Sequence, residues 1–323
     1  MSVLAKPYFY DEAAAFDHVE AVLWPEGPVC PHCGSVAKPY KLAGVRTKAS
    51  KKNPEGILRH GLYKCRDCRK QFTVRIGTIF EESHIELFKW LQAIHLMTSS
   101  KKGISAHQLH RVLECTYKTA WFLAHRIREA MRLPLEDQSA LGGNGKAVEL
   151  DETYVGGKES NKPIHKRTKA RYASKAAVFS MVERGGQVRS MHLTDVTAAT
   201  LRPIMLAHID GKSVIMTDDA GQYRKVSDDF AHEVVNHSAD EYVRGEAYTN
   251  TVEGVFSILK RGITGTFHHV SQQHLHRYLA EFDFRYNNRL ALGVEDLSRA
   301  ERALRGIVGK RLTYRVSPGV GGA

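Results

Sequence analysis

Three acidic residues, Asp151, Asp218 and Glu253, stand where hard-cation chemistry could be built. Asp151 closes the run Ala147-Val148-Glu149-Leu150, which reads as a strand, and Asp218 closes a second run, Ser213-Val214-Ile215-Met216-Thr217. Glu253 lies in a helical pattern from Asn250 to Lys260. Mg²⁺ takes hard oxygen ligands, and a pair of such ions stabilises both the attacking and the leaving oxygen in displacement at phosphorus. Two adjacent strand ends and a facing helix can bring carboxylates together from three elements. If these three converge, the chain cuts or joins phosphodiesters. Each has a plainer reading as a turn or capping residue at the end of an element. Asp219 adjoins Asp218, and because side chains alternate along a strand, only one of the two is expected to face the ions. Lys260 lies two helical turns beyond Glu253 and Asn250 one turn before it, so an amide, a carboxylate and an ammonium share one face.

A second constellation is made of cysteines. Cys30-Pro31-His32-Cys33 and Cys65-Arg66-Asp67-Cys68 form two knuckles. Thiolates three residues apart in a tight turn can both face one tetrahedral Zn²⁺, and two such turns close a structural site. The 31 residues between Cys33 and Cys65 exceed the usual spacing of about 15–20. A basic loop, Arg46-Thr47-Lys48-Ala49-Ser50-Lys51-Lys52-Asn53, absorbs the excess. No βαβ pattern surrounds either pair, which argues against redox chemistry. With four thiols available, His32 is expected outside the ligand set, and Cys115 is read as a packing residue.

The elements that position these groups follow from periodicity. Residues 10–24 read as an amphipathic helix stopped by Pro25-Glu26-Gly27-Pro28. Residues 28–80 carry the cysteines and short strands around Tyr63–Cys65 and Gln71–Val74. Residues 85–133 read as three helices with a short turn before the last, a helix-turn-helix arrangement whose final helix would enter a DNA major groove. Lys118, His125, Arg126, Arg128 and Arg132 would give that helix a basic face; the plainer reading is a solvated side of an ordinary helical bundle. After a glycine-rich linker, strands are expected at 147–151, 175–184, 187–196, 213–218 and 232–236. Helices are expected at 197–209, between the last two strands, and at 250–262, 271–288 and 296–308. The tail 317–323 is expected to be disordered. Gly185-Gly186 marks a hairpin. Alternating strands and helices of this order describe a mixed sheet covered by helices, an α/β fold.

The domains implied are an N-terminal helix (1–27), a zinc ribbon (28–80), a small helical domain (84–133), a linker (134–146), an α/β catalytic domain (147–292) and a C-terminal helix with a flexible tail (293–323). The 323 residues carry a formal net charge of +12, which suggests a polyanionic partner. Lys158–Lys175 holds seven Lys or Arg, Lys166, Arg167, Lys169 and Arg171 among them, against one acid, Glu159. It is read as an extended loop along a DNA backbone or as a solvated insertion. No apolar run approaches the roughly 20 residues needed to span a bilayer. The N-terminus lacks a signal-peptide core, so a cytoplasmic location is expected.

The motifs resemble one family. Asp151-Glu152-Thr153-Tyr154-Val155-Gly156-Gly157-Lys158 is similar to the first catalytic motif of the zinc-ribbon DDE transposases of bacterial insertion sequences. Thr217-Asp218 is similar to the second, and Asn250-Thr251-Val252-Glu253 through Leu259-Lys260-Arg261-Gly262 to the third. His268-His269-Val270-Ser271 and Phe284-Arg285-Tyr286-Asn287 also resemble that family. The resemblance implies an RNase H-like core, cleavage and strand transfer at element ends, and Asp151, Asp218 and Glu253 as ligands of Mg²⁺ or Mn²⁺. Members vary at the third position, so Asn250 stays a rival to Glu253. Asp151 would bridge the two ions, and Lys260, with Arg261 beside it, would hold a DNA phosphate. The implied partners are double-stranded DNA and further copies of the chain on that DNA, in a bacterial, nucleoid-associated setting. Two other readings are a nuclease of the same core that does not join strands, and a DNA-binding regulator with an inactive core.

Overall fold

The computed structural model of the chain describes residues 2–51, 53–133, 138–157, 160, 163–166, 175–235 and 248–312. In chain order the main elements begin with α1 (Glu12–Leu23), β1 (Pro39–Lys41), β2 (Tyr63–Cys65) and β3 (Gln71–Phe72). Next come α2 (Leu87–Ser99), α3 (Ala106–Val112) and α4 (Tyr117–Met131). Then follow β4 (Ala147–Val155), β5 (Ala176–Glu183), β6 (Val188–Leu193), α5 (Ala198–His208), β7 (Val214–Asp218) and β8 (Ala231–Val235). The last are α6 (Asn250–Gly262), α7 (Gln272–Asn287) and α8 (Asp296–Arg305). No helix among the described residues is long and apolar enough to cross a membrane.

These elements fall into two compact units. One draws on the described residues of Met1–Ser99, Ala106–Met131 and Asp296–Ala323. Its α1 starts where the Asp11 carboxylate accepts the Ala14 N–H at 2.7 Å, the expected capping bond. The next residue, Glu12, caps a different helix: its Oε2 accepts the N–H of Leu87 at 2.6 Å and of Phe88 at 3.2 Å, at the start of α2. A three-stranded antiparallel sheet, β1-β2-β3, carries the second cysteine knuckle. The strand β1 is too short for any alternation to reveal it. The α2 helix buries Leu87, Trp90, Leu91, Ile94 and Met97, and the buried Arg299 of α8 donates to the Thr98 carbonyl at 3.1 Å.

The other unit comprises Ser100–Ser105 and the described residues of Arg132–Glu295. Its five-stranded sheet has the order β6-β5-β4-β7-β8. The β4-β5 and β5-β6 pairs are antiparallel, and β4-β7 and β7-β8 are parallel. The order and directions agree with the RNase H-like arrangement implied by the motifs. Gly185, at φ +70°, makes the tight turn between β5 and β6, a conformation that costs glycine little. Alternation assigns the faces. Val148 and Leu150 of β4 pack with Leu201 and Met205 of α5 on one side. Val155 of β4 packs with Val252, Phe256 and Leu279 of α6 and α7 on the other.

Two details depart from the sequence reading. Asp151 is not a strand end: β4 continues through Val155 because Glu152–Val155 stay paired with Phe179–Ala176 of β5. Between β7 and β8 there is no α-helix but two short 3₁₀ turns, Gly221–Tyr223 and Val226–Asp228, which bury Tyr223 and Val226.

Candidate active site

The parallel pairing of β4 with β7 runs Ala147↔Val214, Val148↔Ile215 and Glu149↔Met216, then stops. Continuing that register by two residues sets Asp151 beside Asp218. Neighbouring positions in a sheet share a face, so both carboxylates flank the point where the strands part. Asp218 is the last residue of β7, and Asp219 beyond it is exposed. The parity of β7 thus puts Asp218, rather than Asp219, on the face of Asp151. Glu253 comes from the first turn of α6, exposed, with its Oε1 accepting the Thr249 hydroxyl at 3.3 Å.

Asp151 lies within reach of the charges of both other acids. Burial pushes the Asp151 carboxyl up to about 7. The Glu152 N–H, donated at 2.7 Å to Asp151 Oδ1, opposes the shift, while the negative charges of Glu152, Asp218 and Glu253 add to it. Such a set of hard oxygen donors suits Mg²⁺ or Mn²⁺. A cation among them would offset the repulsion at Asp151.

Two further acids on β4 hold the elements around the site, and sequence reasoning missed both. Glu149, two residues before Asp151 on the same face, is 0% exposed. Its carboxylate accepts from α6 and from Arg184 Nε, the latter at 2.7 Å. The available signal was an ionisable residue inside an otherwise apolar strand run. Glu152 points to the other face. There it accepts the Tyr223 hydroxyl at 2.6 Å and Gln222 Nε2 at 2.5 Å, in the turn that follows Asp218. Burial raises the Glu152 carboxyl, and these two donors oppose the shift.

The remaining expected residues separate. Asn250 and Lys260 are exposed at opposite ends of α6, and Arg261 is exposed with its Nε on the Ser257 carbonyl at 3.1 Å. Lys118 is exposed in the first turn of α4. Arg126 is only 5% exposed: its Nε donates to the Leu312 carbonyl at 3.0 Å and its guanidinium lies 5.1 Å from the Phe122 ring. His125 and Arg128 are buried as well, so the basic face read along α4 does not point outward there. Lys166 ends the 3₁₀ turn Ile164–Lys166; Arg167, Lys169 and Arg171 lie outside the described residues, as does the tail 317–323.

The cysteines meet. Sγ–Sγ distances are 3.6 Å for Cys30–Cys68 and 3.7 Å for Cys33–Cys65, with all four sulfurs within 4.8 Å. Tetrahedral Zn²⁺ with Zn–S bonds of about 2.3 Å requires sulfurs about 3.8 Å apart, so the quartet fits that ion. Cys30 and Cys65 are buried against Tyr63 and Phe72. His32 is not in the set; its Nε2 lies 3.4 Å from the Gln71 carbonyl.

Comparisons with known proteins cover both regions of the chain. Residues 141–287 match the family described as ISXO2-like transposase domain. Residues 10–71 match the transposase zinc-ribbon domain. A protein of Halobacterium salinarum, named "Uncharacterized protein in transposable element ISH50", is 30% identical over 298 residues, covering 86% of this chain and 91% of that protein. Among solved structures, the Mos1 strand transfer complex covers 66% of this chain and 73% of its own at 12% identity, with a TM-score of 0.27. A pre-cleavage Mos1 transpososome has the same coverage at 15% identity and a TM-score of 0.26. At those scores the likeness to Mos1 carries no argument about this chain.

Proposed function

The chain belongs to the zinc-ribbon DDE transposases of insertion sequences, and from that premise we propose that it cleaves DNA at element ends and joins the freed strand to target DNA through a two-metal mechanism. The observation that supports this most directly is the register of β4 and β7, which sets Asp151 beside Asp218, with Glu253 in the first turn of α6; the charges of both add to the shift at Asp151. Asp151, on the central strand β4, would hold two Mg²⁺ ions together with Asp218 and Glu253. The ions, when bound, supply a water or 3′-hydroxyl of lowered pKa and neutralise charge on the departing oxygen. The chain's own residues do the rest. Glu152 ties the turn after Asp218 back to β4. Lys260 and Arg261, exposed at the last turn of α6, would take DNA phosphates.

In the same reading the zinc ribbon holds one structural Zn²⁺, duplex DNA is the substrate and the chain works in the cytoplasm as a homo-oligomer on DNA. The test is Asp151→Asn. Mg²⁺-dependent joined product, followed on labelled element ends, should disappear while binding of those ends persists. Full joining by Asp151→Asn would remove the metal-ligand role.

A further inference from the structure

We propose that Glu149 is the positioning residue of the third carboxylate: seated under the first turn of α6, it aims Glu253 at Asp151. The inference rests on the metal-binding role proposed above. Glu149 Oε2 accepts the N–H of Thr251 at 2.8 Å and of Val252 at 3.0 Å. Its Oε1 accepts the Thr251 hydroxyl at 2.8 Å and Arg184 Nε at 2.7 Å. Four donors therefore use the whole acceptor capacity of a carboxylate. Arg184 in turn donates to the Tyr248 carbonyl at 2.7 Å, its guanidinium 3.5 Å from the Tyr248 ring centroid. A helix N-terminus exposes unpaired N–H groups and favours negative charge. Arg184 neutralises the buried ion.

Thr251 and Val252 immediately precede Glu253, so these bonds set both the height and the rotation of Glu253 on α6. One residue of slip turns a helical side chain by about 100°. The apolar face of Val252, Val255, Phe256 and Leu259 holds α6 to the sheet, but apolar burial has no direction. Besides the Thr249 hydroxyl on Glu253, directional contacts that tie this first turn to the sheet come from Glu149, on the same face of β4 as Asp151. One strand thus carries a proposed ligand and the anchor of the helix that carries another.

The test is Mn²⁺ binding to the full chain, measured by electron paramagnetic resonance of the free ion, without DNA. Glu253→Gln should weaken binding about tenfold and Glu149→Gln by a similar factor, the scale of residues that orient metal ligands. If Glu149 acts through Glu253, the double variant is no weaker than Glu253→Gln alone. Thr251→Val removes one hydroxyl donor and no charge, and serves if Glu149→Gln does not fold. It should show a smaller loss that vanishes in the Glu253→Gln background. A purely stabilising role would lower Tm while leaving Mn²⁺ affinity intact or the losses additive, and either result overturns the proposal. If Glu253→Gln itself binds Mn²⁺ like the parent chain, the proposed ligand set is wrong and the positioning role falls with it.

Discussion

The carboxyl of Asp283, on α7, accepts the Ser190 N–H at 2.7 Å and the Ser190 hydroxyl at 2.8 Å. Burial pushes it from 3.8 up to about 7, against the pull of those two donors and of Arg189. The folded chain therefore keeps a proton that the unfolded chain releases near pH 4, and stability falls as pH rises from there through 7. The full swing is at most about 4 kcal/mol. Asp283→Asn, a neutral mimic of the protonated acid, should lose less Tm than the parent between pH 5 and pH 8; an equal loss would place the titration elsewhere. Residue chemistry also separates the rivals on α6. Glu253→Gln should cost joining at least about a hundredfold if a ligand is lost, with Asn250→Ala retaining most of it. The reverse result would exchange their roles.

At the scale of elements, the edge of the sheet is closed by α7. Asn287 accepts the Val188 N–H at 2.7 Å and donates to the Val188 carbonyl at 2.9 Å, while Asp283 takes the next outward N–H, that of Ser190. An edge strand left bare would offer these groups to another chain. Asn287→Ala should cost about 1–3 kcal/mol in denaturant unfolding for the groups it orphans. The motif Phe284-Arg285-Tyr286-Asn287 was visible in the sequence, but its task was not, because Val188 lies 99 positions away. Most helices and strands were legible from periodicity, since each has one apolar face. The length of β4 was not: Glu152 and Thr153 interrupt the apolar run, and only pairing with β5 continues it. The basic face of α4 failed for a related reason. Helical spacing places Arg126 and Arg128 on the helix but cannot say which side packs, and both are buried.

For the whole molecule, charge is the property that reaches furthest. A net +12 and the basic residues of 158–175 predict steeply salt-dependent DNA binding. Replacing Lys166, Arg167, Lys169 and Arg171 with neutral residues should flatten the plot of log affinity against log salt, each lost phosphate contact reducing the slope by about 0.9. An unchanged slope would remove that segment from the interface. The zinc ribbon is a separate matter of folding. Elemental analysis should find one zinc per chain, and Cys65→Ser should release it, because structural zinc supplies folding energy to so small a unit.

The candidate ligands were legible along the chain alone. Two cysteine pairs at knuckle spacing and three acids in recognisable motifs are local patterns, and short-range geometry makes them legible. Tertiary structure decided what those residues stand beside. It set Asp218, rather than Asp219, on the face of Asp151 through strand parity, and turned Arg126 inward onto the Leu312 carbonyl. It also made Glu149, an acid in an apolar run, the seat of the helix that carries Glu253. Which face a strand or helix buries is set by pairing and packing with segments far away in the chain, 102 residues for Glu149 and Thr251 and 186 for Arg126 and Leu312, and no local pattern contains that information.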